Sequence, residues 1–169
     1  NDAHVINVET GTSDTDDVEI LSFTMEAKGS DINIEELPVL ITTTGETDEA
    51  VIVKAVHLLM NGDEIATETV PTGGAVIFQD LDIDIGQGDK EDFMLTVDLQ
   101  DLSGVLDEGD TVKAEVTSTN VDDIIATDET GEDLADGDTT GSASGSASGS
   151  SSVFSSIFSL INAAFVSSL

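Results

Sequence analysis

The sequence predicts an all-β protein, an antiparallel β-sandwich of about seven or eight strands, followed by an apolar C-terminal α-helix. Three observations point to this. Apolar and polar residues alternate through most of residues 13–127, and turn-forming residues interrupt the alternation about every 8–15 positions. No convincing helical period appears between these turns. In the uncharged stretch SSVFSSIFSLINAAFVSSL, by contrast, Phe154, Ile157, Phe158, Ile161, Phe165 and Leu169 recur at intervals of three and four, which makes one stripe on a helix over 153–169.

The elements follow in order. Residues 2–9, DAHVINVE, read as a short strand in which Val5 and Val8 frame Ile6. An open sheet edge accepts an added strand, so segment 1–12 either pairs within its own sandwich or is donated to a neighbour. In 18–27, Leu21, Phe23, Met25 and Ala27 share one face, and Lys28-Gly29-Ser30-Asp31 turns the chain. Pro38 within 32–43 argues for an edge strand or a bulge. Residues 50–60, AVIVKAVHLLM, are apolar enough for a helix or a buried strand, and their Val and Ile content favours the strand. Asn61-Gly62 is a hairpin signal. In 75–85 the parity changes: Val76 and Phe78 share one phase, Leu81, Ile83 and Ile85 the other, so a bulge or bend must lie between Phe78 and Leu81. Phe93, Leu95, Val97 and Leu99 alternate without interruption; TVKAEVTS alternates again, and VDDIIAT continues it. Residues 128–152 read as an acidic loop followed by a Gly/Ser-rich linker.

Charge excludes several functions. Thirty-six acidic residues against four Lys and no Arg give a net charge of −32. Nucleic acid is excluded as a natural partner because phosphate contacts need Arg and Lys. An anionic membrane surface repels the domain for the same reason. Charge on this scale suits a halophile or a cation-rich medium. There is no Cys, hence no disulfide and no thiol chemistry. The start, Asn1 to His4, is polar and shows no signal-peptide pattern.

LSFTMEAKGSDINIEELPVLITTTG, LLMNGDEIATETV and VIFQDLDIDIGQGDKEDFMLTVDLQDL together resemble the immunoglobulin-like sandwich modules of bacterial surface proteins, especially those of small-genome uncultured lineages. The resemblance runs over residues 18–125 and rests on Phe23 to Ala27, Phe78 to Gly86 and Phe93 to Leu99. It implies surface display and a structural or adhesive role, with no catalytic residue to carry over. Archaeal pilins and flagellins offer a looser architectural parallel, since they join an apolar helix to a β-sandwich head; their helix is N-terminal.

Catalytic signatures are absent: no nucleophile elbow, phosphate loop or dinucleotide fingerprint occurs, and the chain is expected not to be an enzyme. His4 and His57 are the only histidines, and His57, inside an apolar run, is expected to be a satisfied structural side chain. Ca²⁺ is the one cofactor considered, because hard cations collect oxygens from one loop. Asp14/Asp16/Asp17 and Asp107/Asp110 qualify, but Asp128, Glu129, Asp133, Asp136 and Asp138 qualify best. Asp80, Asp82 and Asp84 read instead as the solvent face of a strand. Lys54, in a core-like run, raises the idea of an intramolecular isopeptide bond.

A stripe as apolar as the tail has to be buried. As a membrane span it is short, about 25 Å of helix against about 30 Å of hydrocarbon. As an intermolecular helix it fits better, with Phe and Ile forming a seam and Ser and Ala permitting close approach. The expectation is a secreted structural subunit, with itself as partner, assembling into an extracellular filament or surface polymer. The alternative is a Ca²⁺-dependent adhesive cell-surface module tethered by its tail.

Overall fold

The computed structural model describes residues 15–44, 48–100, 111–116 and 123–134 with their side chains, and 143–148 as backbone. The expected N-terminal strand with Val5, Ile6 and Val8, and the expected helix with Phe154, Ile157, Phe158, Ile161, Phe165 and Leu169, lie outside the described residues. Ten strands are described: β1 (Thr15–Glu26), β2 (Ile32–Thr43), β3 (Val53–Met60), β4 (Asp63–Thr69), β5 (Ala75–Phe78), β6 (Ile83–Ile85), β7 (Lys90–Leu99), β8 (Thr111–Val116), β9 (Ile125–Asp128) and β10 (Ala143–Ser148). One helical turn, α1 (Glu49–Ile52), precedes β3. Asp48 caps it by accepting from the Ala50 amide at 3.1 Å.

The strands form two antiparallel sheets. The first has the order β1-β7-β3-β4, the second β10-β8-β2-β5, with β6 and β9 also paired to β2. In the second sheet β2 is a long central strand flanked by broken ones. Its first half, Ile32 to Glu36, pairs with β6 and β9, and its second half, Leu37 to Thr43, with β5 and β8. The break expected between Phe78 and Leu81 separates β5 from β6. Asp80 there takes φ +54, and the Leu81 amide donates to the Glu35 carbonyl at 2.9 Å. The facing stretch of β2 changes parity at the same level: Ile32 and Ile34 point inward, then Leu37, Val39 and Ile41 do. The two bends sit side by side, so both strands keep their apolar residues in the core.

Pro38 is therefore not on an edge strand, as one reading of the sequence expected, but in the central strand. It falls between Glu36, the last β9-paired residue, and Leu40, the first β8-paired one, where the ladder on that side is interrupted. A residue without an N–H is accommodated at such a gap. The strand number exceeds seven or eight because two expected runs are split, into β5/β6 and β8/β9, and because β10 falls in the stretch whose Gly/Ser composition predicts a linker. Residues 143–148 pair with β8, setting Ala143, Gly145 and Ala147 opposite Val116, Ala114 and Val112.

The inward faces make one core. Phe23 and Phe93 are cross-strand partners and stack with centroids 5.4 Å apart. Phe78, Leu37, Ile41, Ile52, Leu58 and Ile85 are fully buried around them. Burying each such side chain contributes about 1.5–3 kcal/mol. Lys54 is exposed, so the core placement behind the isopeptide idea is not met. Among the described residues no helix is long and apolar enough to cross a membrane.

Candidate functional site

The outer face of the first sheet gathers a polar cluster around His57. In β3, Val56 and Leu58 point into the core, which turns His57 outward. His57 pairs with Thr67 on β4 and Thr96 on β7. A register shift between Leu58 and Leu59 sets Glu64 opposite Leu59 and brings it to the same face. His57 Nδ1 lies 2.9 Å from Glu64 Oε2 and 3.0 Å from Thr67 Oγ1. The Thr67 hydroxyl donates to Glu64 Oε1 at 3.1 Å. With its proton committed there, Thr67 can only accept from the ring, so Nδ1 carries the hydrogen.

Nε2 points the other way. Asp98 Oδ2 is 3.1 Å from it, yet Nε2 is buried without a hydrogen-bond partner of ordinary geometry among the described residues. Asp98 Oδ1 accepts from the Asp17 amide at 3.1 Å. Asp17 itself takes φ +57 within a register shift of β1 against β7. One ligand atom from each of Asp17, His57 and Asp98 lies within 4.8 Å of the others. The His57 side chain is 14% exposed. Its burial works against the charged ring, but the Asp98 carboxylate and then Glu64 outweigh it and raise the pKa above the ordinary 6.5.

A second polar region crosses the outer face of β6, β2 and β9. Asn33 Nδ2 donates to Asp82 Oδ1 and Asp84 Oδ1, each at 2.9 Å. On one side of Asn33 is a hollow of about 390 Å³ bordered by Asp31, Asp84, Asp128 and Glu129. On the other is one of about 340 Å³ bordered by Glu35, Asp80 and Asp82. Asp80, Asp82 and Asp84 are exposed while Leu81, Ile83 and Ile85 are buried, as their alternation predicts.

Of the residues expected to hold Ca²⁺, Asp128 and Glu129 border this hollow, Asp133 bridges to Thr127, and Asp136 and Asp138 lie outside the described residues. Asp128 Oδ1 is engaged within its own turn. It accepts from the Thr130 amide at 2.8 Å, the Thr130 hydroxyl at 2.7 Å and the Glu132 amide at 3.0 Å. The Thr130 hydroxyl, then the Glu132 and Thr130 amides, hold its pKa below the ordinary 3.8. The sequence reading missed the grouping of Asp17, Glu64 and Asp98 around His57. The outward phase of His57 in its strand was legible; the registers that bring the carboxylates to it were not.

No family model matches the chain, and no curated protein does. Among solved structures, the chain is similar to the carbohydrate-binding module CBM36 in complex with calcium and xylotriose, with TM-score 0.28 and 14% identity over 53% of this chain and 87% of that one. It is similar to ACE19, the collagen-binding subdomain of the Enterococcus faecalis surface protein ACE, with TM-score 0.26 and 5% identity over 76% and 95%. It is also similar to CfaE, the adhesive subunit of the CFA/I fimbria of enterotoxigenic Escherichia coli, with TM-score 0.29 and 10% identity over 85% of this chain and 49% of that one. The chain thus spans about half of CfaE. At identities of 5–14% none of these proteins transfers a residue's role to this chain.

Proposed function

We propose that the chain is a non-enzymatic structural subunit displayed at a cell surface or in an extracellular filament, with its acidic sandwich toward solvent and its apolar tail as the assembly element. One observation supports this most. The two sheets fill their core with their own inward residues, and the large apolar side chains left exposed among the described residues, Val51, Ile65, Ile77 and Ile125, are on four different elements. The uncharged stripe from Phe154 to Leu169 is then apolar surface in excess of what the sandwich needs, and a copy of the same stripe is a partner of matching chemistry. The net charge of −32 opposes close approach of subunits, so assembly needs counterions and an extracellular, cation-rich setting.

The test uses the full chain and a variant carrying Phe154→Ser, Phe158→Ser and Phe165→Ser, each in low and in molar NaCl. Negative-stain imaging and light scattering should find polymers of the parent chain in high salt and none of the variant. A parent chain that stays monomeric without detergent at both salts overturns the reading.

The second reading, a Ca²⁺-dependent adhesive module, draws on the hollow bordered by Asp31, Asp84, Asp128 and Glu129. It requires Ca²⁺ to raise the melting temperature more than NaCl of equal ionic strength does, and to lose that advantage in Asp84→Asn.

A further inference from the structure

We propose that Asp17, His57 and Asp98 form a binding site for a divalent transition-metal ion of the Zn²⁺ class, on the outer face of the first sheet. The hydrogen bonds at Glu64 and Thr67 place the hydrogen on Nδ1, so in the neutral ring Nε2 holds a lone pair. Asp98 Oδ2 lies 3.1 Å from that nitrogen, with an Asp17 carboxylate oxygen inside the same 4.8 Å group. An unprotonated nitrogen this close to anionic oxygens is repelled by them unless a cation is shared among the three groups.

The placement suits a shared ion better than a simple proton bridge. A proton on Nε2 would draw Asp98 Oδ2 into an aligned hydrogen bond, yet at 3.1 Å Nε2 has no hydrogen-bond partner of ordinary geometry among the described residues. Two ligands of one tetrahedral ion, each at about 2.0–2.1 Å, lie about 3.3 Å apart with neither on the other's bond axis. The Nε2 to Oδ2 separation is close to such an edge. Glu64 on Nδ1 completes the carboxylate–histidine arrangement that orients a metal-binding imidazole and raises its basicity.

A second observation is independent of the carboxylates. Thr96 is 6% exposed, on the outer face, and paired with both His57 and Glu19. Its hydroxyl is buried without a hydrogen-bond partner among the described residues. A buried hydroxyl normally finds one, and water on a metal held by three protein groups would supply it. Imidazole nitrogen among the donors selects Zn²⁺-like ions over Ca²⁺ and Mg²⁺, which prefer oxygen alone.

The experiment titrates the chelator-stripped full chain with Co²⁺, an optical probe of nitrogen and oxygen ligation, then displaces it with Zn²⁺. Excess Mg²⁺ throughout occupies the acidic surface. One Co²⁺ per chain should bind with a ligand-field spectrum, and Zn²⁺ should abolish that spectrum. His57→Asn and Asp98→Asn should each lose the spectrum, and His4→Gln should keep it. Glu64→Gln, altering an exposed carboxylate, should weaken Zn²⁺ binding about 10–100-fold while the chain stays folded. Three results overturn the proposal: no ligand-field spectrum in the parent chain, an unchanged spectrum in folded His57→Asn, or loss of bound Co²⁺ to Mg²⁺ alone. If the His57 and Asp98 variants unfold, the Glu64→Gln affinity and a Zn²⁺-dependent shift of the His57 ring resonances decide in their place.

Discussion

Asp128 is the residue whose ionisation the structure constrains most visibly. Its carboxylate replaces water with three donors from Thr130 and Glu132, so the charged form is favoured and the folded pKa lies below the ordinary 3.8. The stability this contributes is present above the unfolded value and is lost as pH falls through the folded one. Carboxyl-carbon NMR should find Asp128 titrating below an ordinary aspartate, and Thr130→Ala should move its midpoint upward. An Asp128 midpoint at or above the ordinary value contradicts the turn geometry. Two further residues test the packing. Phe93, stacked on Phe23, leaves a cavity when truncated, so Phe93→Ala should cost about 3–5 kcal/mol in denaturant unfolding. Gly74 takes φ +69, and a Cβ there would meet the Ile41 carbonyl oxygen at 1.9 Å. Gly74→Ala should therefore destabilise by more than about 1 kcal/mol, since both the dihedral and the space are wrong for alanine.

Among the elements, β2 and β10 define the middle and one end of the second sheet. β2 is long enough to serve two pairs of partners because its parity change at Glu35-Glu36 lies beside the break between Phe78 and Leu81. A strand that kept one phase throughout would expose half of its apolar residues. β10 closes the β8 side of the second sheet. Its pairing predicts that Gly145→Pro, which removes an N–H and restricts the backbone, lowers the melting temperature and costs Val112, Ala114 and Val116 their amide protection. Unchanged exchange at these three amides would mean that β10 does not pair with β8 in solution. The hairpin between β3 and β4 turns on Asn61 at φ +53 and Gly62 at φ +92, the left-handed pair that a two-residue connection of this twist requires.

At the scale of the whole molecule, charge sets the operating conditions. The excess of 36 acidic residues over 4 basic ones exceeds what local pairing can offset. Lys90 lies 3.2 Å from Glu26 and Lys113 contacts Glu115, but such surface pairs contribute at most about 1 kcal/mol. Self-repulsion therefore opposes the folded state and is relieved by counterions. The melting temperature should rise from low to molar NaCl, and a flat response would show that the charge is already compensated. The same screening is what would allow the tail stripes of two subunits to meet.

The sequence by itself determined the all-β class and the inward faces of β1, β5, β6, β7 and β8. Those follow from alternation, which is local: Phe93 to Leu99 and Val112 to Val116 can be read without knowing their neighbours. It also located the bend between Phe78 and Leu81, because a parity change in one strand needs no partner to be seen. The regular alternation of Ala143, Gly145 and Ala147 with serine was equally present in the sequence, but small residues carry too little apolar signal to separate a strand from a linker. Only the tertiary structure decided which strands are neighbours, hence that Pro38 stands in a central strand. It alone decided the cluster at His57. Asp17, Glu64 and Asp98 come from three strands, two of them brought to the ring by register shifts, and register is set by pairing across the whole sheet rather than by any residue's own neighbours.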